Sequence, residues 1–160
     1  MRIVYFANGP VALEILDFLQ VAGNQVVGLV LHDAGARMGE EIRAASGLAD
    51  RAVFAASQLR DTQTIAAIDA LGAEIGFSAL FAHILKPSVL ALFPRGVLNV
   101  HPGYLPFNRG RNAQIWAIIE HTPVGATLHY MDEGVDTGAI VARVQVAIDA
   151  TDTGASLRAK

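Results

Sequence analysis

Two polar side chains interrupt an otherwise apolar run, Val97-Leu98-Asn99-Val100-His101, which stops at Pro102. Residues two apart on a strand point the same way, so Asn99 and His101 share one face while Leu98 and Val100 take the other. An amide can donate to a developing oxyanion, and an imidazole can give or relay a proton near neutral pH. On spacing alone, a hydrogen-bonded structural histidine is the commoner reading of such a residue. A second strand-like run, Val124 to Met131, ends in the acidic turn Asp132-Glu133-Gly134-Val135-Asp136-Thr137-Gly138. Asp136 set beside His101 would complete an amide, imidazole and carboxylate trio. A solvated turn is the alternative. A calcium loop is disfavoured because the D-x-[DN]-x-[DN]-G pattern is absent. His129 reads as a satisfied core residue, with a partner role left open. Arg109-Gly110, in a loop rich in Gly and Pro, could clamp a phosphate or simply be solvated.

Such residues need strands that end at a common edge. Arg2 to Phe6 reads as a buried strand, Asn8-Gly9-Pro10 as a turn, and Val11 to Leu19 as a helix stopped by Gly23-Asn24. Gln25 to Leu31 is a second strand, which makes a right-handed βαβ unit. The first turn holds one Gly, so neither a G-x-G-x-x-G motif nor a P-loop is present. A helix N-terminus there could still receive an anion, and a plain turn is the other reading. Asp33-Ala34-Gly35-Ala36 is a loop, Met38 to Ser46 a helix, and Ala52 to Ala55 a short strand. Asp61 caps a helix closed by Gly72. Ala73 to Ala79, Val97 to His101 and Val124 to Met131 add strands. Helices are expected after Lys86-Pro87, ending near Phe93-Pro94, and over Ala113 to His121. Ala139 to Ile148 alternates as a half-covered, antiparallel late strand. Ala150-Thr151-Asp152-Thr153 caps a last helix. The expected fold class is α/β: a doubly wound, mostly parallel, twisted sheet, in which sites form at strand carboxyl ends.

The 160 residues suit one domain, 1–160. Hydrophobic residues make up 52% and charged residues 17%, as for a sheet covered on both faces. The net charge of −3 does not favour a nucleic-acid surface. With no Cys, disulfides, thiolate ligands and a Cys nucleophile are excluded. His32, His83 and His121 show no metal-ligand spacing, so no metal is expected. No G-x-S-x-G elbow occurs. No apolar run is long enough to span a bilayer and no signal peptide is evident, so no membrane partner and a cytoplasmic location are expected.

Three ordered motifs carry a resemblance. Asn99-x-His101-Pro102, Leu105-Pro106-x-x-Arg109-Gly110 and His129-x-x-Asp132-Glu133-Gly134-x-Asp136-x-Gly138 resemble the formyltransferase family that uses N10-formyltetrahydrofolate. The resemblance implies a Rossmann-like formyltransferase fold and Asn99, His101 and Asp136 as catalytic residues. A substrate amine would attack the formyl carbon of the donor. Asn99 and His101 would hold the oxyanion, and Asp136 would orient His101 and help the amine proton reach the departing folate nitrogen. It implies donor binding by Phe81, His83, Ile84, Leu85, Tyr130, Asp132, Gly134 and Val135, mainly through backbone groups. Acceptor binding would fall to Asn8, Gly9, Tyr104, Asn108, Arg109 and Gly110. Leu105-Pro106 matches a place where the family can carry a cis bond. The string from Tyr104 to Gly138 looks most like sugar N-formyltransferases, so the expected acceptor is a nucleotide-linked amino sugar. Glycinamide ribonucleotide or methionyl-tRNA types, and a non-catalytic folate-binding fragment, are the alternatives. A homodimer is compatible with the resemblance. The family's catalytic domain runs on past the helix near Thr153, so the chain is expected to be incomplete at its C-terminal end.

Overall fold

The computed structural model describes residues 1–33 and 37–160, without the side chains of residues 158 and 159; residues 34–36 of the expected Asp33-Ala34-Gly35-Ala36 loop lie outside the described residues. Two compact units emerge, Met1–Leu98 and Asn99–Lys160.

In the first unit, β1 (Arg2–Ala7), β2 (Gln25–Leu31), β3 (Val53–Ala55) and β4 (Ile75–Ala79) are parallel and run in the order β3-β2-β1-β4. Ile3 to Ala7 are each at most 1% exposed. A central strand covered on both faces needs that unbroken apolar run. The connections carry α1 (Pro10–Val21), α2 (Gly39–Ser46), α3 (Thr62–Asp69) and α4 (Pro87–Leu90). Helix α1 buries Ala12, Leu16 and Leu19 against the sheet, a spacing of one helical face. The buried Tyr5 hydroxyl donates to the Ala12 carbonyl at 2.7 Å, tying strand to helix. Burial pushes its phenol far above the ordinary tyrosine range. Asp61 caps α3 as the sequence predicts, accepting from the Gln63 and Thr64 amides. Helix α4 is shorter than expected because Phe93 leaves the helical path and packs on Phe6, with ring centroids 6.0 Å apart. Strand order reverses at β1, and Ala7 pairs with Ala79 at the carboxyl ends of β1 and β4. This switch point is where open α/β sheets place ligands.

The first two residues of β5 (Val97–His101) belong to the first unit and the remainder to the second. In the second unit β5 neighbours β6 (Val124–Tyr130), which pairs antiparallel with β7 (Ile140–Val146). Helix α5 (Ala113–Glu120) precedes β6, and α6 (Gly154–Ala159) follows β7. The Thr153 side chain caps α6 by accepting from the Ser156 amide at 3.2 Å. The antiparallel pairing of β7 is as expected, but its half-covered face is not: Ile140 to Gln145 are exposed throughout. The cause is reach. Leu157 of α6 packs with Ala117, Val124, Ile118 and Val146, so it covers only the far end of the strand. The mostly parallel, doubly wound α/β class read from the sequence is the one observed.

Candidate active site

Strand β5 ends at His101, whose side chain is buried to 3% exposure, and Pro102 turns the chain out of the sheet. The following loop is held by buried groups. The Thr127 hydroxyl, on β6, donates to the Gly103 carbonyl at 2.7 Å and accepts the Leu105 amide at 3.0 Å. Arg143, on β7, donates to the Leu105 carbonyl at 2.6 Å, and its guanidinium lies 4.5 Å from the centre of the Tyr104 ring. The Leu105–Pro106 peptide is cis, at the place where the resembling family can carry such a bond. Further along, the Asn108 side chain bridges Glu120 at 2.9 Å and Thr122 at 2.6 Å. That fixes the Asn108 carbonyl 3.2 Å from His101 Nε2.

The acidic turn divides its carboxylates by role. Asp132 Oδ1 accepts the Gly134 amide at 3.0 Å and the Thr137 hydroxyl at 2.6 Å, which spends its side chain on the turn itself. Gly138 lets the turn close on β6: a Cβ there would sit 1.9 Å from the Tyr130 carbonyl oxygen. Asp136 faces inward. Its Oδ2 accepts the Gly110 amide at 2.8 Å and lies 3.2 Å from His101 Nδ1; its Oδ1 lies 3.4 Å from His129 Nε2. The Asn99 amide nitrogen lies 3.1 Å from the same His129 nitrogen. Asn99, His101 and Asp136 are therefore drawn together with Gly110 and the Asn108 backbone.

His129, for which the sequence favours a core role and leaves a partner role open, has both. It is 1% exposed, as a core residue would be, yet it contacts both Asn99 and Asp136. A signal was present: Thr127 and His129 are two polar residues on one face of a strand, both buried. The ring's Nδ1 meets the Tyr130 carbonyl at 2.8 Å and must donate there, so Nε2 faces the carboxylate. Burial pulls the His129 pKa down, but the Asp136 hydrogen bond, the Tyr130 carbonyl and the charges of Asp136 and Asp132 outweigh it and raise it. Burial pushes Asp136 up, but His129, the Gly110 amide and the charge of His101 hold it below the usual carboxylate range. For His101, burial wins over Asp136 and the Asn108 carbonyl, so its pKa falls below the ordinary value. The arrangement is a buried carboxylate shared by two imidazoles: His129 Nε2 and His101 Nδ1 both face Asp136, while the second nitrogen of each ring faces a backbone carbonyl, Tyr130 for His129 and Asn108 for His101.

Gly103 is part of this geometry through space. A Cβ at Gly103 would lie 2.6 Å from His101 Nε2 and 2.8 Å from the Ala113 Cβ. Gly103→Ala is expected to displace the imidazole, lowering turnover and costing about 1–3 kcal/mol of stability. Thermal unfolding and a steady-state assay on the same preparation check this; unchanged values in both would contradict the packing described.

The remaining sequence-predicted positions fall in both units. Tyr104 is half-buried beneath Arg143, and Arg109 and Tyr130 are exposed, as is Val135. In the first unit, Asn8 Oδ1 accepts the Arg37 amide at 3.1 Å and the Gly9 amide donates to the Arg37 carbonyl at 2.8 Å. Phe81 and Leu85 are buried anchors, while His83 and Ile84 between them are exposed. A cleft of about 390 Å³ opens beside His83, Ile84 and Lys86, with Ala56, Leu59 and Arg60 opposite. Among the described residues no group of three or more His, Cys, Asp or Glu is placed to hold a metal ion, and no helix is long and apolar enough to cross a membrane.

Fold and site together define a Rossmann-like α/β chain carrying a strand-borne amide and imidazole with a loop carboxylate. The Formyl transferase family model matches residues 1–160, and the chain belongs to that family. It is 31% identical over 158 residues to a methionyl-tRNA formyltransferase of Chloroflexus aurantiacus, covering 94% of this chain and 51% of that protein. The chain thus spans about half the length of the curated relatives it matches. Phosphoribosylglycinamide formyltransferase from Bacillus halodurans superposes with a TM-score of 0.83 at 26% identity, over 99% of this chain and 86% of that one. A sugar N-formyltransferase from a Shewanella species shares the fold, with a TM-score of 0.78 at 23% identity, over 99% of this chain and 61% of that one.

Proposed function

We propose that this chain transfers a formyl group from N10-formyltetrahydrofolate to a primary amine on a nucleotide-linked amino sugar. The observation that supports it most is the convergence of Asn99, His101 and Asp136 around a neutral imidazole. Donor binding is assigned to the exposed 82–84 segment with its adjoining cleft. In the reaction the acceptor nitrogen bonds to the formyl carbon, the bond from that carbon to the folate nitrogen breaks, and one amine proton ends on that nitrogen. The Asn99 amide stabilises charge on the formyl oxygen. His101 takes the proton at Nε2, and Asp136 keeps Nδ1–H in place and stabilises the imidazolium that forms. This uses the tautomer with hydrogen on Nδ1, in which the Nε2 lone pair, 3.2 Å from the Asn108 carbonyl, makes no hydrogen bond to it. Holding donor and amine in register supplies much of the remaining acceleration.

A second acceptor, methionyl-tRNA, is favoured by the proteins it matches at 31–34% identity. The net charge of −3 weighs against a polyanionic acceptor. Incubation with N10-formyltetrahydrofolate and each of an amino-sugar nucleotide panel, glycinamide ribonucleotide and methionyl-tRNA decides between them. Mass spectrometry is expected to find one formyl group added to an amino-sugar nucleotide. Formylation of methionyl-tRNA alone would replace the acceptor. Formylation of none, with 5-formyltetrahydrofolate still bound in calorimetry, would reduce the chain to a folate-binding fragment.

A further inference from the structure

We infer that His32 is a positioning residue for the 81–85 segment: its unprotonated Nε2 accepts the Ala82 backbone N–H and fixes the main chain to which the proposed function assigns donor binding. The inference rests on that reading for its consequence, but not for its geometry.

His32 follows β2 directly and Ala82 follows β4, and these two strands flank β1 on opposite sides. Strands in a sheet are about 4.8 Å apart, so the two ends are separated by roughly twice that distance. No backbone hydrogen bond spans such a gap; an imidazole does. The Ala82 amide donates to His32 Nε2 at 3.1 Å. The ring is gripped edge-on, 5.1 Å from the Phe81 ring centre and 4.7 Å from that of His83. Phe81 is itself anchored on Phe6 of β1 at 5.5 Å. The segment that this clamp holds is otherwise open: Ile84 is 70% exposed. Leu80, just before it, has a φ of 53°, so the backbone turns sharply into the clamp.

The contact needs a lone pair on Nε2. Protonation would set N–H against N–H and turn attraction into repulsion. Burial and the neighbouring His83 lower the His32 pKa, against an opposing pull from Asp33, so the acceptor form prevails at neutral pH. The charged and titratable groups around the pair are Asp33, whose carboxylate is held by the Ser57 hydroxyl and amide, and His83, which shares its cleft with Arg60 and Lys86.

The test compares wild type with His32→Leu, which fills the space without an acceptor, and His32→Gln, whose amide oxygen accepts at any pH. The probe is 5-formyltetrahydrofolate in titration calorimetry between pH 4.5 and 7.5, with the donor KM and kcat measured alongside. At neutral pH, His32→Leu is expected to raise the probe Kd and donor KM about 3- to 10-fold, the worth of one lost hydrogen bond, with kcat at saturation little changed. His32→Gln restores affinity. Wild-type binding weakens as pH falls through the His32 titration, whereas both variants lose that dependence. NMR supplies a readout independent of folate: the Ala82 amide shift follows the His32 ring titration in wild type and not in His32→Leu. An Ala82 amide indifferent to His32 titration overturns the inference, whatever the folate result. Failure of wild type to bind the probe overturns the donor assignment, and the inferred effect on donor binding with it, while the NMR still decides the clamp.

Discussion

Asp136→Asn is expected to cut kcat by about 10²- to 10⁴-fold, the range for losing a positioned acid–base group, while the fold persists. Asn is nearly isosteric, and its one oxygen can still accept the Gly110 amide that Asp136 Oδ2 binds at 2.8 Å. What it removes is the charge. Without it His101 Nδ1 loses the carboxylate at 3.2 Å, and the imidazolium formed during transfer has no counter-ion. His129, at 3.4 Å from the other oxygen, loses its partner as well and reverts to its neutral form. Stability changes in a defined direction. A carboxylate whose native pKa is depressed contributes stability above its unfolded value of about 4, and that contribution is lost as pH falls through the native value. The variant is thus expected to melt below wild type at pH 7, with the difference closing in acid. Circular dichroism against temperature, paired with stopped assays of formyl transfer, measures both. Turnover near that of wild type would remove Asp136 from the mechanism.

Much of this site was legible in the chain because it is written in short-range patterns. Asn99 and His101 announce themselves by interrupting an apolar strand at a period of two. The Gly residues around Asp136 mark a turn that must fold tightly. Capping is local too: Asp61 caps as expected, and within the expected capping stretch 150–153 it is Thr153 that does so. What could not be read depends on tertiary neighbours. Asp132 and Asp136 are equivalent by spacing, yet only the folded turn shows one carboxylate spent on Gly134 and Thr137 and the other turned inward. His129 looks like any buried histidine until Tyr130 claims Nδ1 and aims Nε2 at the carboxylate. The alternation of Ile140 to Ile148 correctly signals a strand, but alternation does not say which packing element covers a face. Leu90 to Phe93 continues a helical hydrophobic pattern, so the sequence extends α4 to Phe93, whereas the packing of Phe93 on Phe6 is a long-range contact.

The opposite shifts of two histidines on one carboxylate make the pH profile the second large test. His101 is held below the ordinary histidine value by burial, so its neutral form survives into mildly acid solution. His129 is held above that value because its bonds to Asp136 and Tyr130 outweigh burial. We take the state with His101 neutral and the His129–Asp136 pair charged as the active one, a window that brackets pH 6.5; in it the Asn99 amide must turn its oxygen, not its NH2, to His129 Nε2–H. The kcat profile is expected to be a bell, its acid limb below the ordinary histidine pKa and its alkaline limb above it, each a macroscopic value of the coupled set. Stability has the same shape for the same reason. The raised His129 contributes stability that is full below about 6.5 and lost as pH rises through its native pKa. The lowered His101 costs stability as pH falls below about 6.5. An amine acceptor that must be deprotonated can mimic the acid limb, but it cannot produce the alkaline one. His129→Gln isolates that limb, because an amide N–H can face Asp136 at every pH. The variant is expected to turn over about tenfold or more slowly, the cost of a charge-assisted hydrogen bond, and to hold its rate into alkaline solution where wild type declines. An alkaline limb unmoved by His129→Gln would mean that the pair facing Asp136 does not set the active protonation state, and His129 would return to the core role its burial first suggests.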